Sequence, residues 1–273
     1  MSRKIPQEIL DEIIDEVALG TCHVSLPAPL PQSLRNCALV AKAWTRRSQK
    51  HLFTSISIKP DNLDSWRTIN DRNHGSLNSH VRFLVVEQDD LPDRIKFDPD
   101  TMEAPRPYLN FPNLQVLTLS QWDNFAAFSL PRTFGHYSTP SLRSLKIINS
   151  ISDGDAILEL VALFPDVEEL VIDSAYVINN QITKSFFFPN LIRWRTLRIV
   201  AADSNMVGVL DVISRLPLQC QLLDISYELL EDPRPVLHLI STCSATLKYM
   251  RLEQTHRGNI ILPSHPPILT SNS

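Results

Sequence analysis

The side chains best suited to catalysis or metal binding are eight histidines and four cysteines, and they are scattered along the chain. The sequence contains no H-E-x-x-H motif and no C-x-x-C pair, so its spacing does not indicate a zinc site. It also contains no phosphate-binding glycine loop and no G-x-S-x-G nucleophile elbow. We therefore expect no cofactor, no metal and no catalytic residue, although a site assembled only in space would leave no such motif.

Composition and charge point away from nucleic acid and from membranes. Charged residues make up 21% of the chain, and the formal net charge is −4. No apolar stretch approaches the ~18 residues of a membrane span, and no signal peptide is evident at the start. The cysteines are too sparse for a secreted disulfide framework. We expect a cytoplasmic or nuclear protein with reduced cysteines and with proteins as its partners.

Two local charge clusters are candidates for binding. Residues 35–53 contain several bases and no acid, and they follow a predicted first helix that is rich in acids. Pairing between these segments, or a solvated basic face, is a simpler interpretation than a phosphate-binding surface. The second cluster is the acidic, proline-containing insertion from Glu87 to Asn110. It is either a solvated loop or a loop that binds a partner.

The first fifty residues have the pattern of a small helical unit. Apolar residues recur at helical spacing at Ile5, Ile9, Leu10, Ile13, Ile14 and Val17. A second helical stretch is predicted from about Gln32 to about Leu52, after a proline-rich loop. A unit this small buries little of its own surface, so its apolar residues should pack on the rest of the chain or on another protein.

Three fragments of this region resemble the F-box, in the order and at the spacing of that motif. They are Ile5-Pro6-Gln7-Glu8-Ile9-Leu10, Leu39-Val40-Ala41-Lys42-Ala43-Trp44 and His51-Leu52-Phe53. The chain departs from the usual pattern at Ile5 and Ala41. The resemblance implies binding to a Skp-family adaptor and through it to a cullin. Carried over by position, the adaptor-binding residues are Ile5, Pro6, Ile9, Leu10, Leu39, Val40 and Trp44. Each of them, Trp44 above all, has internal packing as its alternative role.

An L-x-x-L-x-L pattern recurs eight times from residue 53 onward, at a period of about 27 residues. Its central positions are Ile56, Leu84, Leu117, Leu145, Leu170, Leu197, Leu223 and Met250. Stripes at helical spacing lie between several of these units, for example Ile157, Leu160, Val161 and Phe164. We predict one strand in each unit, followed by a helix where such a stripe is present.

Repeated strand–helix units of this length resemble a leucine-rich repeat solenoid of the helix-containing type. The Asn or Cys expected three positions after each L-x-L is Trp122, Ser150 or Ala175 in three units, so we expect irregular turns. The predicted fold class is an α/β repeat. A helical F-box-like domain covers residues 1–54, an irregular repeat array covers 55–262, and a tail covers 263–273. A doubly wound α/β fold is the alternative, but the six glycines are isolated rather than grouped in turns.

Alternation along the strands predicts which residues of the array face solvent. Stacked repeats align Thr118, Lys146, Val171, Arg198, Asp224 and Arg251 in one column. Flanking columns run through Val116 and Tyr249 on one side and through Ser120 on the other. The target-binding candidates are Lys146, Arg198, Asp224, Tyr249 and Arg251. Arg198 and Arg251 are the preferred anchors because arginine is enriched in interface hot spots. A plain solvated sheet face is the alternative.

Together with the resemblance, these features predict a non-catalytic substrate-receptor subunit of a cullin-based, SCF-type ubiquitin ligase. Its F-box would bind the adaptor, and its leucine-rich repeats would bind an unknown target for ubiquitin-dependent degradation. The alternative is a repeat scaffold or regulator whose F-box-like helices bind no ligase and only cap the array. An enzyme with an unrecognised site is a third class, and a perturbed acid or nucleophile in a deep cleft would be its mark.

Overall fold

The computed structural model describes most of the helical and repeat regions of the chain. The described residues are 6–19, 32–40, 42–59, 61–73, 75–87, 111–121, 142–164, 166–178, 181–186, 188, 192–202, 206–227 and 233–254. Within these ranges the protein is an α/β fold with seven α-helices and an eight-stranded parallel sheet. No helix in these ranges has both the length and the apolar character needed to cross a lipid bilayer. Ile5, most of the Glu87–Asn110 insertion and the 263–273 tail lie outside the described residues.

Three helices form the amino-terminal part: α1 (Gln7–Leu19), α2 (Gln32–Val40) and α3 (Lys42–Leu52). The predicted helical stretch over residues 32–52 is helical on both sides of residue 41, which lies outside the described residues, and it forms two helices. On one straight helix Leu34 and Leu52 would lie ~27 Å apart. In the structure both belong to one small core with Ile14 and Ala18, which requires the stretch to be divided. This core joins the three helices.

The strands follow at regular intervals along the chain. They are β1 (Ser55–Ile58), β2 (Phe83–Glu87), β3 (Val116–Ser120), β4 (Ser144–Ile148), β5 (Ile151–Ser152), β6 (Glu169–Asp173), β7 (Tyr176–Val177), β8 (Thr196–Ala202), β9 (Leu222–Tyr227) and β10 (Tyr249–Gln254). β5 and β7 form a separate pair, and the other eight strands lie side by side in chain order. Each L-x-x-L-x-L unit contributes one of these eight strands, which confirms the predicted strand positions. The doubly wound alternative is wrong, because its strand order reverses at a switch point.

Helices cover one face of the sheet. They are α4 (Leu63–Arg72), a 3-10 helix (Ser76–His80), α5 (Gly154–Ala162), α6 (Val207–Ser214) and α7 (Arg234–Cys243). The predicted stripe on α5 is buried, as are the inward-facing leucines of the central strands. Asp153 caps the amino-terminal end of α5, since its carboxylate accepts the backbone N–H of Ala156 at 2.6 Å. Burial of one helix face and one sheet face makes a continuous core along the array.

Three strands that are neighbours in the sheet are each followed by a residue with the same backbone conformation. Gln121, Asn149 and Ser174 directly follow β3, β4 and β6, and each has a positive φ between 49° and 54°. Each donates its backbone N–H to the next strand of the sheet, at 3.0, 2.9 and 2.9 Å. The expected irregularity is absent at these three residues, where main-chain hydrogen bonds to the next strand are present without an asparagine ladder, while Trp122 lies outside the described residues. An irregularity does occur between β8 and β9, where the register shifts after Ile199.

Candidate functional site

Part of α1 exposes apolar side chains although a core lies on its other side. Ile9 and Ile13 are one helical turn apart and are 47% and 44% exposed, whereas Ile14 is fully buried. Scattered exposed apolar residues are ordinary on a protein surface. Two isoleucines on one helix face are instead the part of an apolar stripe that the small core leaves uncovered. We call Ile9 and Ile13 the α1 apolar face.

The predicted adaptor-binding residues occupy different environments. Pro6 is exposed just before α1, and Leu10 is half-buried. Leu39 is 84% exposed near the end of α2. Trp44 is half-buried and packs on the small core, so its alternative role of internal packing applies. Val40 ends α2, and its side chain, like Ile5, lies outside the described part of the chain. The role of this set in adaptor binding stays a prediction.

An ionic cluster holds α3 against α1. Arg47 Nε donates to Asp15 Oδ1 at 2.7 Å, and Arg47 Nη2 contacts the other carboxylate oxygen. His51 Nε2 lies 2.7 Å from Asp15 Oδ1. The hydrogen bonds from Arg47 hold the pKa of Asp15 well below its usual value, and those same bonds raise the pKa of Arg47. The predicted pairing of the acidic first helix with the basic segment is thus confirmed for Arg47, and His51, which is not among the predicted bases, contacts the same carboxylate.

The sheet aligns the predicted columns on its outer face. Thr118, Lys146, Val171, Arg198, Asp224 and Arg251 are successive register partners. Val116, Ser144, Glu169, Thr196, Leu222 and Tyr249 form the flanking column in the same way. The third column, which starts at Ser120, is interrupted where the register shifts between β8 and β9. The predicted alignment is confirmed for the first two columns, and their role in target binding stays a prediction. The predicted exposure to solvent is wrong for Val171, Ser144 and the candidate Asp224, which are buried; Asp224 pairs with Arg198 of the adjacent strand.

The charged candidates in the central column form ion pairs within the sheet. Arg198 Nε donates to Asp224 Oδ2 at 3.2 Å. Lys146 Nζ lies 3.8 Å from Glu169 Oε2. Arg251 Nη2 lies 2.5 Å from Glu253 Oε2. A partner that used Arg198 or Arg251 would have to compete with these carboxylates, so neither side chain is a free anchor.

A further row of polar residues lies at the edge of the sheet where the strands begin, and none of its members is among the predicted site residues. We call it the strand-start row. Its members are Thr54, Arg82, Gln115, Arg143, Glu168, Arg195, Gln221 and Lys248. In each of the seven junctions between them, one member's carbonyl accepts two backbone N–H groups from the next strand. The carbonyl of Arg143, for example, accepts from Glu168 at 2.8 Å and Glu169 at 2.9 Å. The sequence signal is the polar residue after the first apolar position of every L-x-x-L-x-L unit.

Bases occupy alternate positions of the strand-start row. Arg82, Arg143, Arg195 and Lys248 are exposed, and Gln115, Glu168 and Gln221 are the half-buried residues between them. Among the described residues, none of these four bases forms an ion pair. The last three of them line a groove of about 430 Å³. The other groove residues are Ser144, Glu168, Glu169, Thr196, Gln221, Leu222 and Tyr249, so one predicted target-binding residue, Tyr249, lies in it.

The described cysteines of the sheet region lie in the core and not in the groove. Cys220 and Cys243 are both buried and reduced. A hydrogen bond with Cys243, together with burial, raises the pKa of the Cys220 thiol, so a thiolate is disfavoured at this position. Within the described residues, no group of three or more His, Cys, Asp or Glu side chains could hold a metal ion. Cys220 and Cys243 therefore fill the core between β9 and α7.

Comparisons with known proteins bear on the family of the chain. No protein-family model matches it, and no curated protein is significantly similar to it. The fold and the site together define an α/β protein with a parallel sheet in chain order, an exposed apolar helix face and a charged groove.

Proposed function

We propose that the chain is a substrate-receptor subunit of a cullin-based, SCF-type ubiquitin ligase. In this proposal α1, α2 and α3 form an F-box that binds a Skp-family adaptor, and the sheet belongs to a leucine-rich repeat solenoid that binds a target. The observation that carries the proposal is the α1 apolar face, which lies within the fragment that resembles the F-box. The parallel strand–helix units that follow α3 support the proposal that the rest of the chain is a repeat solenoid.

The energetics of the α1 apolar face suit a protein partner. Complete burial of an isoleucine contributes about 1.5–3 kcal/mol. Because Ile9 and Ile13 are each about half exposed, a partner that covers them gains roughly 1 kcal/mol from each. Leu39 is almost fully exposed and would add about 2 kcal/mol if the same partner covers it. The Asp15–Arg47 pair already fixes α1 against α3, which lowers the cost of ordering this surface on binding.

In the proposed complex the chain needs no catalytic group, because the transfer of ubiquitin belongs to other subunits. The chain contributes two binding surfaces and the connection between them. Phe53 provides that connection, since it packs both on the small core and on the core of the sheet. Its ring centre lies 6.1 Å from that of Trp66. The receptor would act in the cytoplasm or the nucleus.

A second candidate function is a scaffold or regulator whose helices bind no adaptor. The position of Phe53 favours it, because the same contact that connects α3 to the sheet also lets the helices cap the first strand. The two candidates differ in one respect, which is whether the α1 apolar face is covered by an adaptor.

Ile9→Asp tests the proposal, with Leu237→Asp as the matched control. Leu237 lies on α7 and is 61% exposed, so both substitutions place a carboxylate at an exposed apolar position of a helix. Ile9→Asp should weaken adaptor binding by about 2–4 kcal/mol, or about two decades in affinity, because it removes apolar burial and leaves an unpaired charge in the interface. Leu237→Asp should leave adaptor binding unchanged.

The measurement is co-purification with a Skp-family adaptor, followed by titration of the purified proteins. Circular dichroism of both variants should match that of the parental chain, because neither side chain belongs to a core. If Ile9→Asp retains the adaptor at parental affinity, the α1 apolar face is not the adaptor site. A parental chain that binds no adaptor would favour the scaffold.

A further inference from the structure

We propose that the strand-start row binds an extended acidic segment of a partner protein, in a polyproline-II conformation with a carboxylate at every third residue. This inference rests on the proposed function of the array as a target-binding surface, and it specifies the chemical class of the target. The binding residues are Arg143, Arg195 and Lys248, with Arg82 as a further base in the same row.

The spacing of the bases determines the conformation of the segment. Arg143 and Arg195 directly precede β4 and β8, and only β6 lies between these strands. Arg195 and Lys248 directly precede β8 and β10, with only β9 between these strands. Because neighbouring strands are about 4.8 Å apart, the bases recur about every 9.6 Å. A polyproline-II chain has three residues per turn and rises about 9.3 Å per turn, so carboxylates three residues apart share one face at this interval.

Other regular conformations do not match the row. Successive turns of an α-helix bring side chains to one face about every 5.4 Å. A β-strand does so at every second residue, or about every 6.7 Å. A helix with an acid on every turn, or a strand with an acid at every second residue, would therefore repeat its charges more often than the bases recur. The polyproline-II spacing places uncharged residues opposite the intervening Glu168 and Gln221 instead.

The bases on the face of the sheet are already paired, whereas, among the described residues, the bases of the strand-start row are not. Arg198, Lys146 and Arg251 each face a carboxylate of the chain itself. The bases of the strand-start row are exposed and form no ion pair among the described residues. Their donors are therefore available for carboxylates of a partner, and the two arginines can bind them in the bidentate geometry.

The remaining groove residues favour a protein segment over a nucleic acid. Glu168 and Glu169 line the groove between the first two bases. A chain with a phosphate at every residue would meet these carboxylates, whereas a segment with one acid in three would not. Leu222 and Tyr249 provide an apolar and aromatic wall at the other end of the groove. Such walls suit the proline rings of a polyproline-II segment.

The first test compares two labelled peptides of equal composition. One contains four Glu-Pro-Pro units, and the other contains four consecutive glutamates followed by prolines, each about twelve residues long. In fluorescence anisotropy with the full chain, the spaced peptide should bind about tenfold more tightly, because it engages three bases in register. Its affinity should fall as salt is added. Equal affinity of the two peptides would overturn the proposal, as would tighter binding of a single-stranded RNA of equal length.

The second test uses Arg195→Glu and the matched control Arg193→Glu. Arg193 lies two residues earlier, is not part of the groove lining and is only 3.9 Å from Asp166, so the net charge changes equally at a nearby place. Arg195→Glu should weaken binding of the spaced peptide by about tenfold or more, and Arg193→Glu by less than about twofold. Arg195→Gln should lie between them. The same loss in Arg195→Glu and Arg193→Glu would show a general charge effect and contradict the specific row.

Adaptor binding separates this inference from the proposed function. Arg195→Glu should co-purify with the adaptor as the parental chain does, because Arg195 directly precedes β8 and does not lie on α1. If the parental chain binds the spaced peptide but no adaptor, the ligase proposal fails and the strand-start row stands. If it binds the adaptor but neither peptide, the receptor proposal stands and this inference fails.

Discussion

Ile14→Ala should unfold the three amino-terminal helices, whereas Ile9→Ala on the same helix should leave them folded. The two isoleucines lie five positions apart in α1, and Ile14 is fully buried while Ile9 is 47% exposed. Truncation of a buried isoleucine to alanine costs about 2–5 kcal/mol, since apolar burial is lost and a cavity remains. At Ile9 the smaller loss of burial is partly offset by the higher helix propensity of alanine, so we expect a change within about 0.5 kcal/mol.

The size of the small core makes this loss decisive for the helices. Its buried members are Ile14, Ala18, Leu34 and Leu52. A core in a unit of this size rarely supplies more than about 3–5 kcal/mol. Ile14→Ala removes a large part of that amount. The core of the sheet contains none of these four residues, so the strands should stay folded when the helices open.

Hydrogen–deuterium exchange measures both outcomes in one experiment. In Ile14→Ala, amides of residues 7–19, 32–40 and 42–52 should lose protection, and those of β3, β4 and β6 should keep it. Chemical denaturation provides the overall free energy of unfolding. If Ile14→Ala and Ile9→Ala change exchange equally, the burial difference in α1 does not govern its stability. Loss of protection in the strands together with the helices would show that the two cores fold as one unit.

Two further predictions concern α1 and the last strand. Because Arg47 lowers the pKa of Asp15 in the folded chain, the stabilisation from their pair is present above about pH 4 and is lost as the pH falls toward the folded pKa. Asp15→Asn should cost about 1 kcal/mol at neutral pH and flatten the acid side of the stability profile measured by denaturation. β10 exposes Tyr249, Met250 and Leu252 at the edge of the described sheet, so light scattering should show self-association. Leu252→Lys should reduce it, and a monomeric parental chain at high concentration would contradict this expectation.

The strands were predictable because each buries one face against helices. The leucines at 117, 145 and 170 are fully buried, and their spacing from flanking apolar positions follows from strand alternation alone. The same holds for the stripe on α5, whose helical period follows from burial on one side. Burial on one face places apolar residues at a regular spacing in the sequence, and the strands and α5 are long enough for that spacing to be recognised.

Features that depend on how side chains from different elements meet were harder to predict from the sequence. The sequence places Arg198 and Asp224 side by side in the predicted column, and opposite charges on adjacent strands pair, so their ion pair could have been inferred. The division of residues 32–52 into α2 and α3 could not be inferred in this way. It depends on the shared core of Leu34, Leu52 and Ile14, and the helical spacing of the stretch does not encode that core.

In the strand-start row the main-chain hydrogen bonds serve the fold, whereas the basic side chains do not. Its main-chain groups hold the strands together, and those bonds form with any residue type other than proline at these positions. The fold therefore requires no base at positions 143, 195 or 248. Exposed bases without acid partners add nothing to the stability of the sheet. At about 9.6 Å apart they are separated by roughly one Debye length, so their mutual repulsion is small. A row of evenly spaced cations that the fold tolerates but does not need is best explained by a ligand with matching negative charges.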